Sequence, residues 1–355
     1  MSVDANERNS EGEPLVENES VAHGGRQDAC APSACAPSND VPSRAPGVIA
    51  IVGPTASGKS ALGIAVALGL GGEIINCDSV QVYQGIQLAT AKVPLAERQG
   101  IPHYLIDFVS PNINYTAGDW AREAAPIIAA VQRQGRVPIL VGGTGLYLRA
   151  LRNPFFPSPQ TDADLRLRLN KLRAGRGAEH LHRLLRRLDP ESAAELYPRD
   201  WPRVQRAIEV LLQTGRAMSQ QKNARPEPHE SARRLRIMVL NPPRDELYRR
   251  INERTEKHFA AGLVAEVEAL LAEDVPANSN ALGAHGYRRV VEYLEGKRDL
   301  VSAVEQTKLD VRHYAKRQLT WFRRESGAEW FAGFGEDEEI QTAVLEALAK
   351  HSAEG

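Results

Sequence analysis

The chain has 355 residues with 44 Lys or Arg and 45 Asp or Glu, so its formal net charge at pH 7 is −1. This length predicts a large core and two lobes, since single cores stop growing at roughly 250–300 residues, and the near-neutral charge argues against indiscriminate nucleic-acid binding. Three cysteines are too few for a disulfide framework, and they have no partners at the spacing of a zinc site. No apolar run approaches the ~18–20 residues of a membrane helix, and the acidic, polar N terminus is unlike a signal peptide. These features predict a cytoplasmic protein.

Residues 1–46 are poor in large apolar side chains and rich in Glu, Asn, Ser, Pro and Ala. Such a composition buries too little apolar surface to offset the entropy that is lost on ordering. We therefore predict a disordered tail at the N terminus.

A complete phosphate-binding loop follows the first apolar run, residues 48–52, and precedes a helical pattern that starts near residue 61. The loop consists of Gly53, Pro54, Thr55, Ala56, Ser57, Gly58, Lys59 and Ser60. Its glycines let backbone amides wrap an anion, Lys59 adds a positive charge, and the Ser60 hydroxyl can hold Mg²⁺. The pattern predicts binding of a diphosphate or polyphosphate and leaves the identity of that phosphate open.

A polar cluster follows the second predicted strand, residues 73–76. It begins with Asp78, Ser79, Val80 and Gln81. Because α/β sheets bind ligands at the carboxyl ends of their strands, this position favours Asp78 as a catalytic carboxylate, for example the general base for an acceptor amine. Two other roles stay open, a ligand of Mg²⁺ and a cap for the following turn.

A glycine-rich turn, residues 142–148 (GGTGLYL), follows the apolar run 137–141. Its amides and the Thr144 hydroxyl are expected to face the same crevice as the phosphate-binding loop, although a turn that only caps the next helix has the same pattern. Together with the loop and Asp78, the turn marks one predicted site.

The order of the remaining elements predicts the fold class. Apolar segments at 104–108 and 137–141 alternate with helical stretches such as 120–134, which is typical of a parallel sheet covered by helices. Between 161 and 233 the sequence becomes helical and rich in arginine, which predicts an inserted helical lobe. Strand character returns at 236–241, and Ser302 with Glu305 predicts a capping box for a helix that runs to Arg324.

We therefore predict an α/β protein with a P-loop NTPase-like parallel sheet covered by helices and an inserted all-helical lobe. The sheet is expected to resume after the insertion. The predicted parts are a disordered tail (1–46), the first part of the core (47–160), the inserted lobe (161–233), the rest of the core with C-terminal basic helices (234–335) and a C-terminal tail (336–355).

Two basic segments are candidates for RNA contact. Residues 200–209 bring Arg203, Gln205 and Arg206 to the start of a helix, and these side chains suit phosphates and base edges. Residues 306–324 interleave aromatic and cationic side chains, which suits a single-stranded RNA loop. The alternatives are a solvated basic helix face for the first segment and core aromatics for the second.

Six motifs in order resemble those of the tRNA dimethylallyltransferases of bacterial type, also called tRNA isopentenyltransferases. The motifs are GPTASGKS, DSVQVYQG with TAK, PHYLID, GGTGLYL, VQRAIEV and YAKRQLTWFRR, and they extend from about residue 48 to residue 331. The resemblance implies transfer of a dimethylallyl group from dimethylallyl diphosphate to the N6 amine of the adenosine beside the anticodon. It also implies Mg²⁺ as the cofactor, the tRNA anticodon stem-loop as the partner and no nucleotide hydrolysis.

The resemblance further implies roles for individual residues. Asp78 is expected to take the proton from the adenine amine, while Lys59, Ser60 and Thr144 stabilise the departing diphosphate. The acceptor base has to be flipped out of its stack to reach a buried carboxylate, at a cost of about a few kcal/mol. Contacts with tRNA are implied for Asp78, Ser79, Val80, Gln81, Thr144, Arg166, Arg203, Val204, Gln205, Arg206 and Ala207.

Departures from the family pattern are confined to loops. Ala89 stands where glycine is usual, Val93 separates Lys92 from the proline that usually follows it, and His285 replaces a usual isoleucine. Two other functions compete with the prediction. A small-molecule enzyme, either a kinase or an isopentenyltransferase of free adenine nucleotides, has no need of the basic insert, and an RNA-binding protein with a vestigial loop has no need of Asp78. A monomer is the default expectation.

Overall fold

The computed structural model describes residues 47–221, 226–228, 232 and 234–352, so the predicted N-terminal tail lies outside the described residues. The strands are β1 (Val48–Val52), β2 (Gly72–Asn76), β3 (His103–Tyr104), β4 (Val137–Gly142), β5 (Leu235–Leu240) and β6 (Ala328–Phe331). They form one sheet in the order β3-β2-β4-β1-β5-β6, and every pairing is parallel. The predicted α/β class is confirmed.

Helices lie on both faces of the sheet and in the segment between β4 and β5. Their bounds are α1 (Lys59–Leu70), α2 (Ala117–Arg133), α3 (Gly145–Arg152), α4 (Ala163–Arg176), α5 (Ala178–Leu188), α6 (Pro190–Glu195), α7 (Trp201–Thr214), α8 (Met218–Gln221), α9 (Arg244–Ala260), α10 (Leu263–Ala272), α11 (Tyr287–Leu294), α12 (Leu300–Phe322) and α13 (Glu338–Ser352), with a 3₁₀ turn at Leu95–Arg98. Among the described helices, none combines the length and the apolar character needed to cross a membrane.

The central strand β1 is buried on both faces. Val48 and Ala50 belong to an apolar cluster with Trp120 of α2, whereas Ile49 belongs to a second cluster with Leu62 of α1. Successive side chains of a strand point to opposite faces, so a strand covered on both sides needs a continuous apolar run. The phosphate-binding loop therefore leaves the carboxyl end of a fully buried strand.

The segment between β4 and β5 has an apolar core of its own. Helices α5 and α7 pack together, and α4 and α6 both contact α5. The apolar core consists of Leu165, Leu169, Leu181, Leu185, Ala193, Val204, Ala207 and Ile208. The domain boundaries assigned from the sequence stay a prediction.

Several local predictions were wrong. The strand expected at 104–108 is limited to β3, because Leu105 and Asp107 have φ values of 57° and 58°, which are outside the range of a strand. Helix α12 begins at Leu300, and its cap is Asp299, whose side chain accepts from the Ser302 amide over 2.6 Å. Strand β6 is not evident from the sequence.

Residues 336–355, expected to form a C-terminal tail, instead include helix α13, which packs against α1. Val344 and Leu348 are buried in the same cluster as Leu62, and Ile340 packs at its edge. These three apolar positions of α13 recur every four residues, which places them on one face of the helix. The C-terminal segment thus covers one face of the sheet.

Candidate active site

The phosphate-binding loop has the conformation that its glycines permit. Gly53 and Gly58 have φ values of 148° and 81°, which side chains disfavour. The Lys59 Nζ donates to the Pro54 carbonyl over 2.7 Å, so the lysine folds back over the loop. Ser57 is 0% exposed, and its hydroxyl has no hydrogen-bond partner among the described residues. The loop brings the Lys59 cation to the N terminus of α1, and both features favour an anion.

Asp78 is held by its neighbours at the end of β2. Its backbone amide donates to Asn76 Oδ1 over 3.1 Å, and its Oδ1 accepts from the Val80 amide over 2.9 Å. Asn76 is buried and also donates to the Leu105 carbonyl over 2.8 Å. Asp78 therefore does cap the following turn with one carboxylate oxygen. This is compatible with catalysis, because a general base needs only one free lone pair.

Thr144 joins the glycine-rich turn to the Asp78 segment. The Thr144 Oγ1 accepts from the Ser79 amide over 3.0 Å and lies 3.3 Å from Ser79 Oγ, while the Thr144 amide donates to the Cys77 carbonyl over 3.1 Å. Gly142 permits this approach, since a Cβ there would overlap the Cys77 carbonyl and lie 2.8 Å from the Asp78 nitrogen. The two strand ends are thus fixed to each other.

Arg254 of α9 is a site residue that was not predicted. Burial lowers its pKa, and the charge of Asp78 opposes that shift. His258, one turn further along α9, accepts from Arg254 Nε over 3.3 Å. Burial and the arginine lower the pKa of His258 to about 4, so at neutral pH the ring is uncharged and can accept. The available signal was the pair Arg250 and Arg254, four residues apart and so on one helix face.

These elements surround one cavity of about 1100 Å³, which Lys59, Asp78 and Arg254 all line. Burial lowers the pKa of Lys59 from 10.5 to about 8; the charges of Asp78 and Glu336 oppose this shift, and that of Arg254 adds to it. The described lining holds five cationic and four acidic side chains, so an anionic ligand such as a diphosphate would balance the excess positive charge. The cationic residues are Lys59, Lys92, Arg250, Arg254 and Lys257, and the acidic ones are Asp78, Glu97, Glu253 and Glu336. Residues 55–60 of the loop line the cavity, together with Asp78, Ser79, Val80 and Gln81.

Of the residues predicted for catalysis or diphosphate binding, Gly53, Pro54 and Thr144 are not among the described residues that line the cavity. Gly53 and Pro54 are buried. Among the described residues that line the cavity Thr144 does not appear, although its partner Ser79 does. Thr144 therefore contacts the Asp78 segment through Ser79 without lining the cavity itself.

Ser60 fits the predicted Mg²⁺ site by its chemistry. It lies in the first turn of α1 and lines the cavity beside Lys59. In the part of the chain that the structure describes, no group of three or more His, Cys, Asp or Glu could form a metal site by itself. Mg²⁺ bound through one or two protein oxygens, substrate phosphates and waters requires no such group.

Three of the predicted tRNA-contact residues of the helical segment, Arg166, Gln205 and Arg206, share one buried acid, Glu209 of α7. Glu209 is 0% exposed and accepts from Arg166 Nε and Nη2, each over 2.8 Å, and from Arg206 Nη1 over 3.4 Å. Gln205 is also buried and donates to Glu209 Oε1 over 3.3 Å. Arg203 has a side-chain exposure of 65% and pairs with Asp200 over 3.1 Å.

Other residues that were predicted to contact tRNA are buried or hydrogen-bonded within the protein. Val204 and Ala207 are both 0% exposed within the apolar cluster of the helical segment, so their side chains are not accessible to RNA in this structure. The Gln81 amide donates to the carbonyls of Thr90 and Ala91 over 3.0 and 3.2 Å. Of the described residues that line the cavity, none belongs to the segment 203–207.

The aromatic residues of α12 differ in their surroundings, and contact of this helix with RNA stays a prediction. Phe322 is buried in the core, whereas Tyr314 lines the cavity. Lys308 donates to Glu256 and to Glu305, each over 2.7 Å, so the predicted cationic face is neutralised at that position. His285, which departs from the family pattern, lies against Tyr314 with ring centroids 4.9 Å apart.

Comparison with known proteins identifies relatives over most of the chain. A family model described as IPP transferase matches residues 81–325, and one described as isopentenyl transferase matches residues 46–111. A tRNA dimethylallyltransferase of Solibacter usitatus is 44% identical over 303 residues, which cover 85% of this chain and 98% of the relative. The tRNA dimethylallyltransferase of Geobacter metallireducens is 43% identical over 298 residues, with coverages of 84% and 96%.

Solved structures agree with the sequence comparison. The tRNA isopentenylpyrophosphate transferase of Bacillus halodurans is 35% identical and superposes with a TM-score of 0.62, covering 86% of this chain and 98% of the other. A eukaryotic dimethylallyltransferase captured acting on tRNA is 27% identical with a TM-score of 0.70, covering 86% and 78%.

Proposed function

The chain belongs to the tRNA dimethylallyltransferase family, and on this premise we propose that the cavity around Lys59, Asp78 and Arg254 is its active site. The enzyme transfers a dimethylallyl group to the N6 amine of the adenosine beside the anticodon of tRNA. The proposed donor is dimethylallyl diphosphate. The observation that carries the assignment is that Lys59, Arg254 and the strand-end carboxylate of Asp78 line the same cavity as residues 55–60 of the phosphate-binding loop.

The diphosphate is proposed to lie between the loop amides, Lys59 and Arg254. As the carbon–oxygen bond of the donor breaks, the electron pair leaves with the diphosphate, and negative charge grows on its oxygens. Fixed donors and cations directed at developing charge supply a large part of a rate enhancement. The bond from Arg254 to His258 supports this role, because it holds the guanidinium in place before substrate binds.

Asp78 is proposed as the base for the acceptor. The new bond joins the amine nitrogen to the donor carbon, and the proton that the nitrogen loses passes to the Asp78 carboxylate. Thr144 is proposed to position Asp78, since its hydroxyl accepts from the Ser79 amide next to that residue. This is a narrower role than direct contact with the diphosphate.

The helical segment between β4 and β5 is proposed to bind the anticodon stem-loop. Arg166 and Arg206 suit phosphates, and their guanidinium groups are already ordered by Glu209. Contacts of this kind offset the cost of flipping the acceptor base, about a few kcal/mol. Exposed Arg203 extends the same surface.

Ser60 is proposed to hold Mg²⁺ together with diphosphate oxygens and waters. When it is bound, the ion neutralises part of the charge on the leaving group. We also propose a cytoplasmic enzyme that acts as a monomer.

The test is to incubate the purified protein with Mg²⁺, dimethylallyl diphosphate labelled in the allyl group, and either unmodified tRNA or AMP. We expect label in tRNA and none in AMP. Transfer to AMP alone would instead establish an enzyme of free nucleotides. Transfer to neither, combined with phosphate transfer from ATP to a small acceptor, would establish a kinase.

A further inference from the structure

Gln318 of α12 connects the two loops that build the candidate active site. Its side chain is buried, with 5% of the residue exposed. Its Oε1 accepts from the Thr55 amide of the phosphate-binding loop over 2.8 Å, and its Nε2 donates to the Gly143 carbonyl over 3.0 Å. The partners lie 263 and 175 residues away in the chain. One primary amide therefore spans the gap between two loops that no local sequence connects.

The fit between α12 and the glycine-rich turn is close. A Cβ at Gly143 would overlap the Gln318 amide, and a Cβ at Gly145 would overlap the Trp321 ring. Tyr314, Gln318 and Trp321 are spaced by four and three residues, so they lie on one face of α12. On that face, Gln318 and Trp321 contact the glycine-rich turn, and Tyr314 and Gln318 line the cavity.

The chemistry of a primary amide is specific for this position. The Thr55 amide is a donor and the Gly143 carbonyl is an acceptor, so the bridging group must accept on one side and donate on the other. A carboxylate could not donate to Gly143, and a hydroxyl on a short side chain could not reach both loops. Rotation of the amide by 180° would oppose two donors and two acceptors, so both bonds fix a single orientation.

We propose that Gln318 is a positioning residue that sets the distance between the phosphate-binding loop and the Gly142–Gly145 turn. The loop carries Lys59, and the turn holds the Asp78 segment through Thr144. Gln318 thus aligns the group that binds the leaving diphosphate with the group that receives the proton. This inference rests on the proposed function, and it assigns to α12 a role besides contact with RNA.

The test compares Gln318→Met, which keeps the length of the side chain and removes both hydrogen bonds, with the wild type. Calorimetry with inorganic pyrophosphate and Mg²⁺ measures the diphosphate site without the reaction. Without the two bonds the ligand itself has to order the loop, so we expect about tenfold weaker binding. In steady state we expect a higher KM for dimethylallyl diphosphate, a lower kcat and an unchanged KM for tRNA.

Gln213→Met is the matched control, since Gln213 also donates from a helix to a loop carbonyl, that of Gln160 over 3.0 Å. It should leave pyrophosphate binding unchanged. A lower melting temperature of Gln318→Met with wild-type pyrophosphate affinity and KM values would overturn the proposal, because the residue would then serve stability alone. A rise only in the KM for tRNA would overturn it as well.

Two further measurements cover the case in which Gln318→Met does not fold. Gln318→Asn keeps the amide but is one methylene too short for both loops, so it should show the same loss, and wild-type behaviour would contradict the proposal. In the wild type, amide hydrogen exchange at Thr55 should be slow without ligand, and rapid exchange would also contradict it. If the wild type itself binds pyrophosphate but labels no tRNA, the proposed function fails, and with it the alignment of the two reacting groups; weaker pyrophosphate binding by Gln318→Met would then still support the spacing of the two loops.

Discussion

Replacement of Glu209 by glutamine tests whether Glu209 holds Arg166 and Arg206 in position for tRNA. The Glu209 carboxylate has no exposed surface and accepts two bonds from Arg166 and one from Arg206. Glutamine has nearly the same shape, but its NH₂ group would face arginine donors in place of an oxygen acceptor. The substitution therefore removes the charge and the geometry together without leaving a cavity.

The size of the effect follows from the burial of each partner. Removing one partner of a buried ion pair costs about 3–5 kcal/mol. The Arg166 side chain is 43% exposed and regains water when it is released, so we expect a loss below that range, about 2–3 kcal/mol. For a protein of this size, such a loss lowers the melting temperature by about 5 °C.

Two consequences for tRNA binding have opposite signs. The variant is more positive by one charge, which by itself would strengthen binding to phosphates. Arginines without their buried acceptor lose their fixed orientation, which weakens binding. We expect orientation to dominate and the KM for tRNA to rise about tenfold, equivalent to about 1.4 kcal/mol, while the KM for dimethylallyl diphosphate stays unchanged.

The assay measures both KM values and the tRNA dissociation constant at one fixed salt concentration. Glu179→Gln is the control, because it makes the same charge change in the same segment at a side chain that is 82% exposed. A Glu209→Gln variant that folds and binds tRNA as tightly as Glu179→Gln, or more tightly, would refute the positioning argument. A change in the KM for dimethylallyl diphosphate would show that the segment acts on the other substrate.

Three further predictions concern the cavity. Asp78→Asn should lower turnover by about 10²–10⁴-fold in single-turnover assays and leave tRNA affinity near that of the wild type, since it removes only the base; lost tRNA binding with retained turnover would contradict this. Because the pKa of Lys59 is lowered to about 8, its positive charge is present below that pH and lost above it. Calorimetry should therefore show pyrophosphate affinity falling from pH 8 upward. The Lys59→Ala variant should bind pyrophosphate weakly and show no such additional decline. Gly142→Ala should destabilise the protein by about 1–3 kcal/mol and reduce turnover, because the new Cβ would overlap the Cys77 carbonyl. Gly175→Ala, at an unobstructed helical position, should not destabilise it. Equal denaturant midpoints of the two variants would contradict the close approach of Gly142 to Cys77.

The sequence by itself determined the features that depend on neighbouring residues. The strand, loop and helix from residue 48 to residue 70 follow from an apolar run, two glycines at fixed spacing and a helix-forming segment, all within one short stretch. The parallel sheet follows from the alternation of strands and helices, because such a chain can bury its apolar faces in few other ways. Ordered motifs also indicated the family, which the comparisons confirm.

Only the tertiary structure decided which distant side chains meet. Gln318 and Glu209 carry no local signal that separates them from surface residues of the same types, and the spacing of Arg254 from Arg250 indicates only a shared helix face. Each of the three nevertheless contacts the candidate site or the predicted RNA contacts. Their partners lie as many as 263 residues away, and such contacts arise from how the helices pack on the sheet. Val204 and Ala207, expected at the RNA surface, became core for the same reason, since packing selects which face of a helix is buried.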